Sequence, residues 1–219
     1  MNIELIPVIE ITYFNSAPSP EKGPYWEFQN EWESYAKTRL KNAGFKDEFE
    51  PYKKGSSFYE PHKISLSNLK KLIIDWFEIF DGSNHDEILP FYGGYVLKID
   101  GKDVYYPQCC GDLSDIVYWK KIIKEHKNCY CNGHPAPLIS FSKNEVKFTF
   151  DETDEQFTPP VPNSLTIKLD TIEVALNITL NKLKEFEQNI LNVENEVQLN
   201  LKGKQLTEIL IYRNQETEN

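Results

Sequence analysis

Arginine, basic segments and long apolar runs are scarce in this 219-residue sequence. Arginine occurs only at Arg39 and Arg213, so the side chain best suited to bidentate contacts with phosphate or guanine is almost absent. No segment approaches the roughly 20 consecutive apolar residues that a membrane helix needs. Residues 1–14 lack the basic region of a signal peptide and include Glu4 and Glu10. We therefore expect a cytoplasmic protein that binds neither nucleic acid nor a membrane.

The charge is negative and evenly distributed. The chain has 34 acidic residues against 24 lysines and arginines, which gives a formal net charge of −10. Residues 1–110 and residues 111–219 each carry −5, since each half has 12 basic and 17 acidic residues. Nucleic-acid binding usually shows a basic patch or stripe, and neither half has one. The distribution favours solubility, and it also suits an acidic surface that steers a basic protein partner into place.

Helix and strand patterns predict an α+β fold. The β-rich runs on either side of Asp100-Gly101 indicate a tight hairpin, because both central residues of such a turn favour positive φ. A second hairpin is indicated at residues 138–150, and residues 2–13 have the composition of a strand. Apolar residues at helical spacing predict helices at residues 25–43, 66–80, 113–127 and 171–193. We therefore expect an antiparallel sheet built from hairpins and packed with about four helices, including a long C-terminal helix.

Residues 1–219 are expected to form a single domain. The best candidate for a boundary is the segment 151–163, which is acidic and then proline-rich. The piece that follows this segment is too short for a comfortable independent domain, so we expect it to pack on the rest. The apolar stripe of the long helix can face this core or a partner chain. For residues 195–219 the pattern leaves strand and helix open.

All four cysteines lie close together in the sequence, at positions 109, 110, 129 and 131, with His126 and His134 beside them. Disulfide bonds are not expected in a cytosolic chain. Three interpretations stay open: a metal site, a reactive thiol, and cysteines that are simply small buried hydrophobic residues. The third is the plainest, since free cysteine is among the most buried residue types.

A metal site is the first alternative to a buried core. Zinc takes four nitrogen or sulfur ligands in a tetrahedron. Successive residues at a strand end point to opposite faces, so only one of the adjacent cysteines is expected to reach an ion. The usual spacing of two to four residues between paired cysteines is missing. We expect no cofactor; if zinc is bound, the candidate ligands are Cys109, Cys129, Cys131 and His134.

A reactive thiol is the second alternative. Cys110 comes just before Gly111 and a predicted helix, and a helix N-terminus lowers the pKa of a nearby thiol. His134 or His126 could act as the base, with Asp112 or Asp115 to orient it. Asp112 could instead cap the helix, where its negative charge would raise the pKa of the thiol. The candidate catalytic residues are therefore Cys110, His134 and Asp112.

The common catalytic motifs are missing from the sequence. It has no Walker loop, no dinucleotide-binding glycine pattern, no His-Glu-x-x-His and no Gly-x-Ser-x-Gly. Its acidic segments, such as residues 151–155, are typical of solvated loops. The aromatic residues Trp26, Phe28 and Trp32 are typical of a core, and any of them that is exposed is a candidate interface anchor.

One region of the sequence carries a resemblance. Phe91-Tyr-Gly-Gly-Tyr is followed by Val104-Tyr-Tyr-Pro-Gln-Cys-Cys-Gly-Asp-Leu-Ser-Asp and then by Tyr118-Trp119. This pattern resembles a group of uncharacterised bacterial proteins, and the similarity continues through Gly133-His134-Pro135. The resemblance implies no activity. In general character, acidic and α+β without a catalytic motif, the chain is similar to small immunity proteins of bacterial toxin systems.

These observations favour a non-enzymatic binding protein of the bacterial cytosol. The resemblance in character implies an immunity-type protein, whose acidic, aromatic-studded surface occludes a basic protein partner. The alternative is a metal-binding protein or a thiol-dependent enzyme built on the cluster from Cys109 to His134.

Overall fold

The computed structural model describes residues 1–13, 17–79, 88–127, 133–197, 199 and 205–213. The fold is α+β, as the sequence predicts, with 40% of the residues in helices and 21% in strands. The described strands are β1 (Ile3–Glu10), β2 (Phe58–Tyr59), β3 (Gly93–Ile99), β4 (Lys102–Tyr105), β5 (Leu138–Ser142), β6 (Glu145–Thr149) and β7 (Ser164–Lys168). The described α-helices are α1 (Gln29–Asn42), α2 (Leu66–Ile79), α3 (Ile116–Glu125) and α4 (Leu169–Glu194).

The chain divides into two compact units. The first comprises Met1–Pro7 and Pro90–Lys184, and the second comprises Val8–Leu89 and Glu185–Asn219. Strand β1 and helix α4 each run from one unit into the other. The segment 151–163 lies inside the first unit. The single domain over residues 1–219 stays a prediction.

The first unit contains the predicted tight hairpin. Strands β3 and β4 are antiparallel, and the turn between them has Asp100 at φ 46° and Gly101 at φ 79°, as the Asp-Gly pair predicts. Asp100 also forms two hydrogen bonds with Asn2, near the start of the chain. Its carboxylate accepts a hydrogen bond from Asn2 N at 2.7 Å, and its own N–H donates to Asn2 O at 2.8 Å. Strand β1 consequently lies beside β3.

Strands β5, β6 and β7 form a second, antiparallel sheet in the first unit. The predicted hairpin at residues 138–150 is confirmed, with Ser142 opposite Glu145 next to its turn. Val146 and Phe148 are buried and alternate with more exposed neighbours, so one face of the sheet is in the core. The sequence pattern does not predict β7, because this strand continues directly into α4 and no turn signal follows it.

Helix α4 buries its apolar stripe within the chain itself. In the first unit, Ile172 and Leu176 are at most 1% exposed, so this part of the stripe needs no partner chain to cover it. Thr179 lies on the same face, and its hydroxyl is directed at the carbonyls of Ala175, at 2.8 Å, and of Leu5. Because Leu5 belongs to β1, this buried hydroxyl links the helix to the strand inside the first unit.

The second unit contains α1, α2 and the short strand β2. Strand β2 pairs with the end of β1, where Ile9 lies opposite Tyr59. Helix α2 begins where the sequence predicts, because the Ser65 hydroxyl accepts a hydrogen bond from Asn68 N at 3.2 Å and caps it.

Among the described residues, no helix combines the length and the apolar character needed to cross a membrane.

The start of α1 corrects the sequence prediction. The helix was expected from residue 25, but it begins at Gln29. Residues 25–27 form a turn instead, in which Glu27 N and Phe28 N both donate to Pro24 O at 3.2 Å. The helical spacing of the aromatic residues therefore begins before the helix does.

Replacement of Thr179 by valine is expected to lower the free energy of unfolding by about 1–2 kcal/mol. Valine has nearly the same shape but cannot donate to Leu5 O, so a buried carbonyl loses a hydrogen bond. Urea unfolding followed by circular dichroism measures the change. The matched control is Thr166→Val on the exposed face of β7, where a change within about 0.5 kcal/mol is expected. Equal losses in both variants would contradict the assignment of this role to Thr179.

Candidate metal centre

The candidate centre begins at the turn that follows β4. Gln108 is buried, and its carbonyl accepts a hydrogen bond from Gly111 N at 3.1 Å, which closes a tight turn through Cys109 and Cys110. Within the turn, Cys110 has a φ of 65°, in the left-handed region that few non-glycine residues adopt. The chain therefore does not continue as an extended strand across the cysteine pair.

Backbone pairing brings His134 to this turn. His134 N donates to Cys109 O at 3.0 Å, and the two residues form an isolated antiparallel bridge. Gly133 also packs against the turn, and a Cβ atom added to it would lie 3.6 Å from the carbonyl oxygens of Gln108 and Cys109. Two segments that are more than 20 residues apart in the sequence are thus held side by side.

The side chains of Cys109, Cys110 and His134 converge. One donor atom from each residue lies within 4.8 Å of the other two, and the two sulfur atoms are 3.6 Å apart. Two sulfur ligands of one tetrahedral zinc ion, each at about 2.3 Å from the metal, lie about 3.8 Å apart. The sulfur separation in the structure is therefore close to that of a zinc site.

A carboxylate contacts the imidazole ring of His134. Glu155 Oε2 lies 3.0 Å from His134 Nδ1, which leaves Nε2 as the nitrogen available to a ligand. The hydrogen bond to Glu155 is the main reason why the pKa of His134 is raised above its ordinary value, and a contact with Cys110 adds to it. Ligating histidines in metal sites usually have such a carboxylate or carbonyl on the second nitrogen.

Gln108 positions the segment that carries Glu155. Its side-chain oxygen accepts from Thr158 N at 3.0 Å, and its side-chain nitrogen donates to Thr158 O at 3.2 Å. Phe157 is 2% exposed and packs edge-on against Phe150, so the acidic segment is anchored immediately after Glu155. The buried glutamine thus connects the cysteine turn with the carboxylate that orients His134.

The centre lies at the surface. Cys109, Cys110 and His134 are all exposed, and the His134 side chain is 53% accessible. The neighbouring cavity, lined in part by Gln108 and Gly111, has a volume of about 20 Å³, which is room for about one water molecule. The interpretation of Cys109 and Cys110 as buried hydrophobic residues is therefore wrong, and this cavity is too small for a substrate.

The structure also corrects the expectation that only one of the adjacent cysteines reaches the site. Both sulfur atoms lie on the same side, because the left-handed φ of Cys110 reverses the alternation that an extended strand would impose. The other two predicted ligands, Cys129 and Cys131, lie outside the described residues. Sequence reasoning missed Glu155, since acidic loop residues are common and the pairing of residue 134 with residue 109 was not foreseen.

Asp112 was predicted either to orient a catalytic base or to cap a helix, and the structure shows it as a cap. It is 3% exposed, and its Oδ1 accepts hydrogen bonds from Ser114 N at 2.7 Å and from the Ser114 hydroxyl at 2.6 Å. It therefore caps the short 3₁₀ turn Leu113–Asp115 that leads into α3, as the sequence also suggested. His126 ends α3 and stacks on Phe141, and it is not part of the cluster.

The predicted interface anchors lie in the second unit and are half-buried. The Trp32 indole N–H donates to Lys22 O at 2.9 Å, and the Lys22 ammonium lies 5.8 Å from the centre of the Phe28 ring. Trp26 packs edge-on against Tyr25. Each of the three aromatic residues thus has contacts inside the chain, and their role at an interface stays a prediction.

Comparison with known proteins gave no assignment. Scans against models of protein families, against curated proteins and against solved structures each found no match to this chain. The function proposed below therefore depends on the geometry of the described residues.

Within the turn, replacement of Gly111 is expected to lower the free energy of unfolding the most. A Cβ atom at this position would lie 2.8 Å from Gly93 O and 3.1 Å from Gln108 O, and both atoms belong to the backbone. Gly111→Ala is expected to lower the free energy of unfolding by about 1–3 kcal/mol, as overpacking does in cores. The measurement is the urea-unfolding midpoint.

Gly133→Ala is the matched control for Gly111→Ala. A Cβ atom at position 133 meets its nearest atoms at 3.6 Å, an ordinary contact distance, in the same site. We expect this variant to unfold close to the wild type. If Gly111→Ala were tolerated equally well, the close approach between residues 93 and 111 would not constrain the turn.

Proposed function

We propose that the chain is a zinc-binding protein whose ligands include Cys109, Cys110 and His134. The observation that carries this proposal is the convergence of two sulfur atoms and one imidazole within 4.8 Å, with the Glu155 carboxylate 3.0 Å from the imidazole Nδ1. Two thiols and a histidine meet by chance less readily than exposed carboxylates do. The carboxylate that fixes the ring is a second feature of zinc sites, independent of the first.

The donor set favours zinc among the divalent cations. Thiolate and imidazole are soft or borderline ligands that suit Zn²⁺, whereas Mg²⁺ and Ca²⁺ prefer oxygen. Zinc normally takes four ligands. The sequence offers Cys129 and Cys131 as further donors, and Cys131 is only three positions before His134.

A structural role follows from where the donors lie. An ion at the cluster would join the turn after β4 to the segment around His134. Since the ion binds the folded chain, it adds about 2.7 kcal/mol of stability at a free zinc concentration of 100 times its Kd.

Metal analysis and cobalt substitution test this proposal. Protein purified with zinc in the buffers is expected to retain one zinc per chain, and Co²⁺ added to the metal-free protein should give the thiolate charge-transfer band of a tetrahedral site. Cys109→Ser, Cys110→Ser and His134→Ala are each expected to weaken binding by more than 100-fold in competition with a chromophoric chelator, because each removes a ligand. Absence of a stoichiometric metal from the wild type would reject the proposal.

A pair of charge-neutralising variants tests the role of Glu155. Glu155→Gln is expected to weaken zinc binding by about 10–100-fold, as loss of a partner of a ligating histidine usually does. Asp154→Asn is the matched control: it removes the same charge from the neighbouring position, which is exposed and has no hydrogen bond to His134. Equal effects of the two variants would indicate general electrostatics instead of orientation of the ring.

A second candidate function is docking of a basic protein, as for an immunity-type protein. It is favoured by the exposure of residues 151–156, which include the carboxylates of Asp151, Glu152, Asp154 and Glu155. The contacts of Gln108 with Thr158 anchor this acidic segment, so its charges are presented from a fixed position. Preorganised charges of one sign increase the association rate of an oppositely charged partner.

Binding to a deca-lysine peptide at low and high salt tests this second function. Neutralisation of all four carboxylates of the acidic segment should weaken binding at low salt by about tenfold, and high salt should abolish the difference. The control variant changes four exposed acids of the second unit to glutamine, at Glu21, Glu27, Glu31 and Glu78. Equal weakening in both variants, or binding indifferent to salt, would exclude the segment as the docking surface.

A further inference from the structure

The second unit contains a cavity of about 340 Å³ that the metal proposal does not use. Its wall is formed by α1, by the loop that follows this helix and by β2. The volume lies at the lower end of the range of small-molecule sites, roughly 300–1,000 Å³. A cavity of this size suits a small ligand.

The inner wall of the cavity is apolar and largely aromatic. Leu40, Phe45 and Tyr59 are each less than 10% exposed, and all three line the space. Phe49 packs edge-on against both Phe45 and Tyr59, with ring centres 5.1 and 5.3 Å away. These rings support one another, so the wall is preformed. It favours an alkyl chain or an aromatic ring over a polar ligand.

The rim of the cavity has an excess of available positive charge. Lys41 and Lys46 line the rim and are exposed, and neither has an ion-pair partner among the residues that the structure describes. The third rim lysine, Lys37, is paired with Glu33 at 3.2 Å. The Asp47 carboxylate accepts a hydrogen bond from the Ser65 hydroxyl at 2.6 Å.

Asp47 keeps its negative charge, because a hydroxyl donor does not neutralise a carboxylate, and Glu48 is the remaining acid of the rim. Glu33 is shared by Lys37 and Lys54, at 3.2 and 3.5 Å, so four lysines face three carboxylates and the balance is one positive charge. This balance suits a ligand with a single negative charge better than a phosphate monoester with nearly two.

The second unit also has a buried positive charge, on α1. Arg39 is 4% exposed, and its guanidinium donates to Ile11 O at 2.7 Å. Burial raises the pKa of Tyr59 to about 12, and the charge of Arg39 acts in the opposite direction. The Tyr59 hydroxyl stays protonated at neutral pH and can donate a hydrogen bond.

We propose that this cavity binds a small amphipathic carboxylate, with its apolar part against Leu40, Phe45 and Tyr59 and its charge between Lys41 and Lys46. The apolar wall supplies affinity, because burial of each methylene group contributes roughly 0.8 kcal/mol. The lysines supply selectivity for an anion. The cavity belongs to the second unit and the metal cluster to the first, so each proposal can fail without the other.

Isothermal titration calorimetry of the full chain with decanoate tests the proposal. We expect saturable binding of one decanoate per chain. Lys41→Ala combined with Lys46→Ala should weaken it by about tenfold, whereas the affinity for 1-decanol should stay unchanged because this probe has no charge. The matched control is Lys121→Ala combined with Lys124→Ala, which removes the same charge from exposed positions of α3 and should leave decanoate binding unchanged.

A variant that fills the cavity gives a second, independent readout. Ala36 is 8% exposed and lines the cavity, so Ala36→Leu should abolish binding of both decanoate and 1-decanol. Circular dichroism establishes whether this variant folds; if it does not, the surface lysine variants still decide. Absence of saturable decanoate binding to the wild type overturns the proposal. Equal weakening by the control pair, or binding that survives in folded Ala36→Leu, also overturns it.

Discussion

The hydrogen bond from His134 N to Cys109 O is the contact on which the candidate centre depends. It fixes the backbone of His134 against the cysteine turn. Rotation of the His134 side chain alone then brings the imidazole to both sulfur atoms. Gln108 then ties the segment with Glu155 to the same turn, and this carboxylate sets the rotation of the ring. Backbone pairing and two side-chain contacts thus order the donors before any ion arrives, which lowers the conformational entropy that a ligand site must lose.

Close packing around Gly111 restricts which residues the cysteine turn can contain. Gly93 N donates to Gly111 O at 2.9 Å, and the space beside Gly111 has no room for a methyl group. Gly111 is therefore required by this close backbone contact. This constraint connects the hairpin β3–β4 with the turn, so the position of the cysteines follows from the way the sheet ends.

Local patterns were enough to predict most of the fold. The Asp100-Gly101 hairpin, the second hairpin and helix α2 depend on turn chemistry, capping and apolar spacing, all of which act over a few residues. Strand β7 and the true start of α1 were not predictable in this way, because the strand runs into α4 without a turn and the start of the helix is set by the carbonyl of Pro24.

The candidate centre was predictable only in part, because local patterns do not show contacts between segments that are distant in the sequence. Residue types and their clustering indicated Cys109 and His134, but the left-handed φ of Cys110 and the contact of Glu155 arise from pairing between distant segments. Such pairing leaves no signal in local spacing. The cavity of the second unit was missed as well, since its wall joins a helix, a loop and a strand whose aromatic residues look like ordinary core.

The exposure of the cysteine pair has a kinetic consequence. Metal ions enclosed in a core leave only when the fold opens, and their exchange is then as slow as unfolding. The two sulfur atoms and the imidazole face solvent, so a zinc ion bound there, as we propose, would be accessible to an incoming thiol that replaces its ligands one at a time. Transfer of zinc to or from another molecule could therefore proceed while both units stay folded.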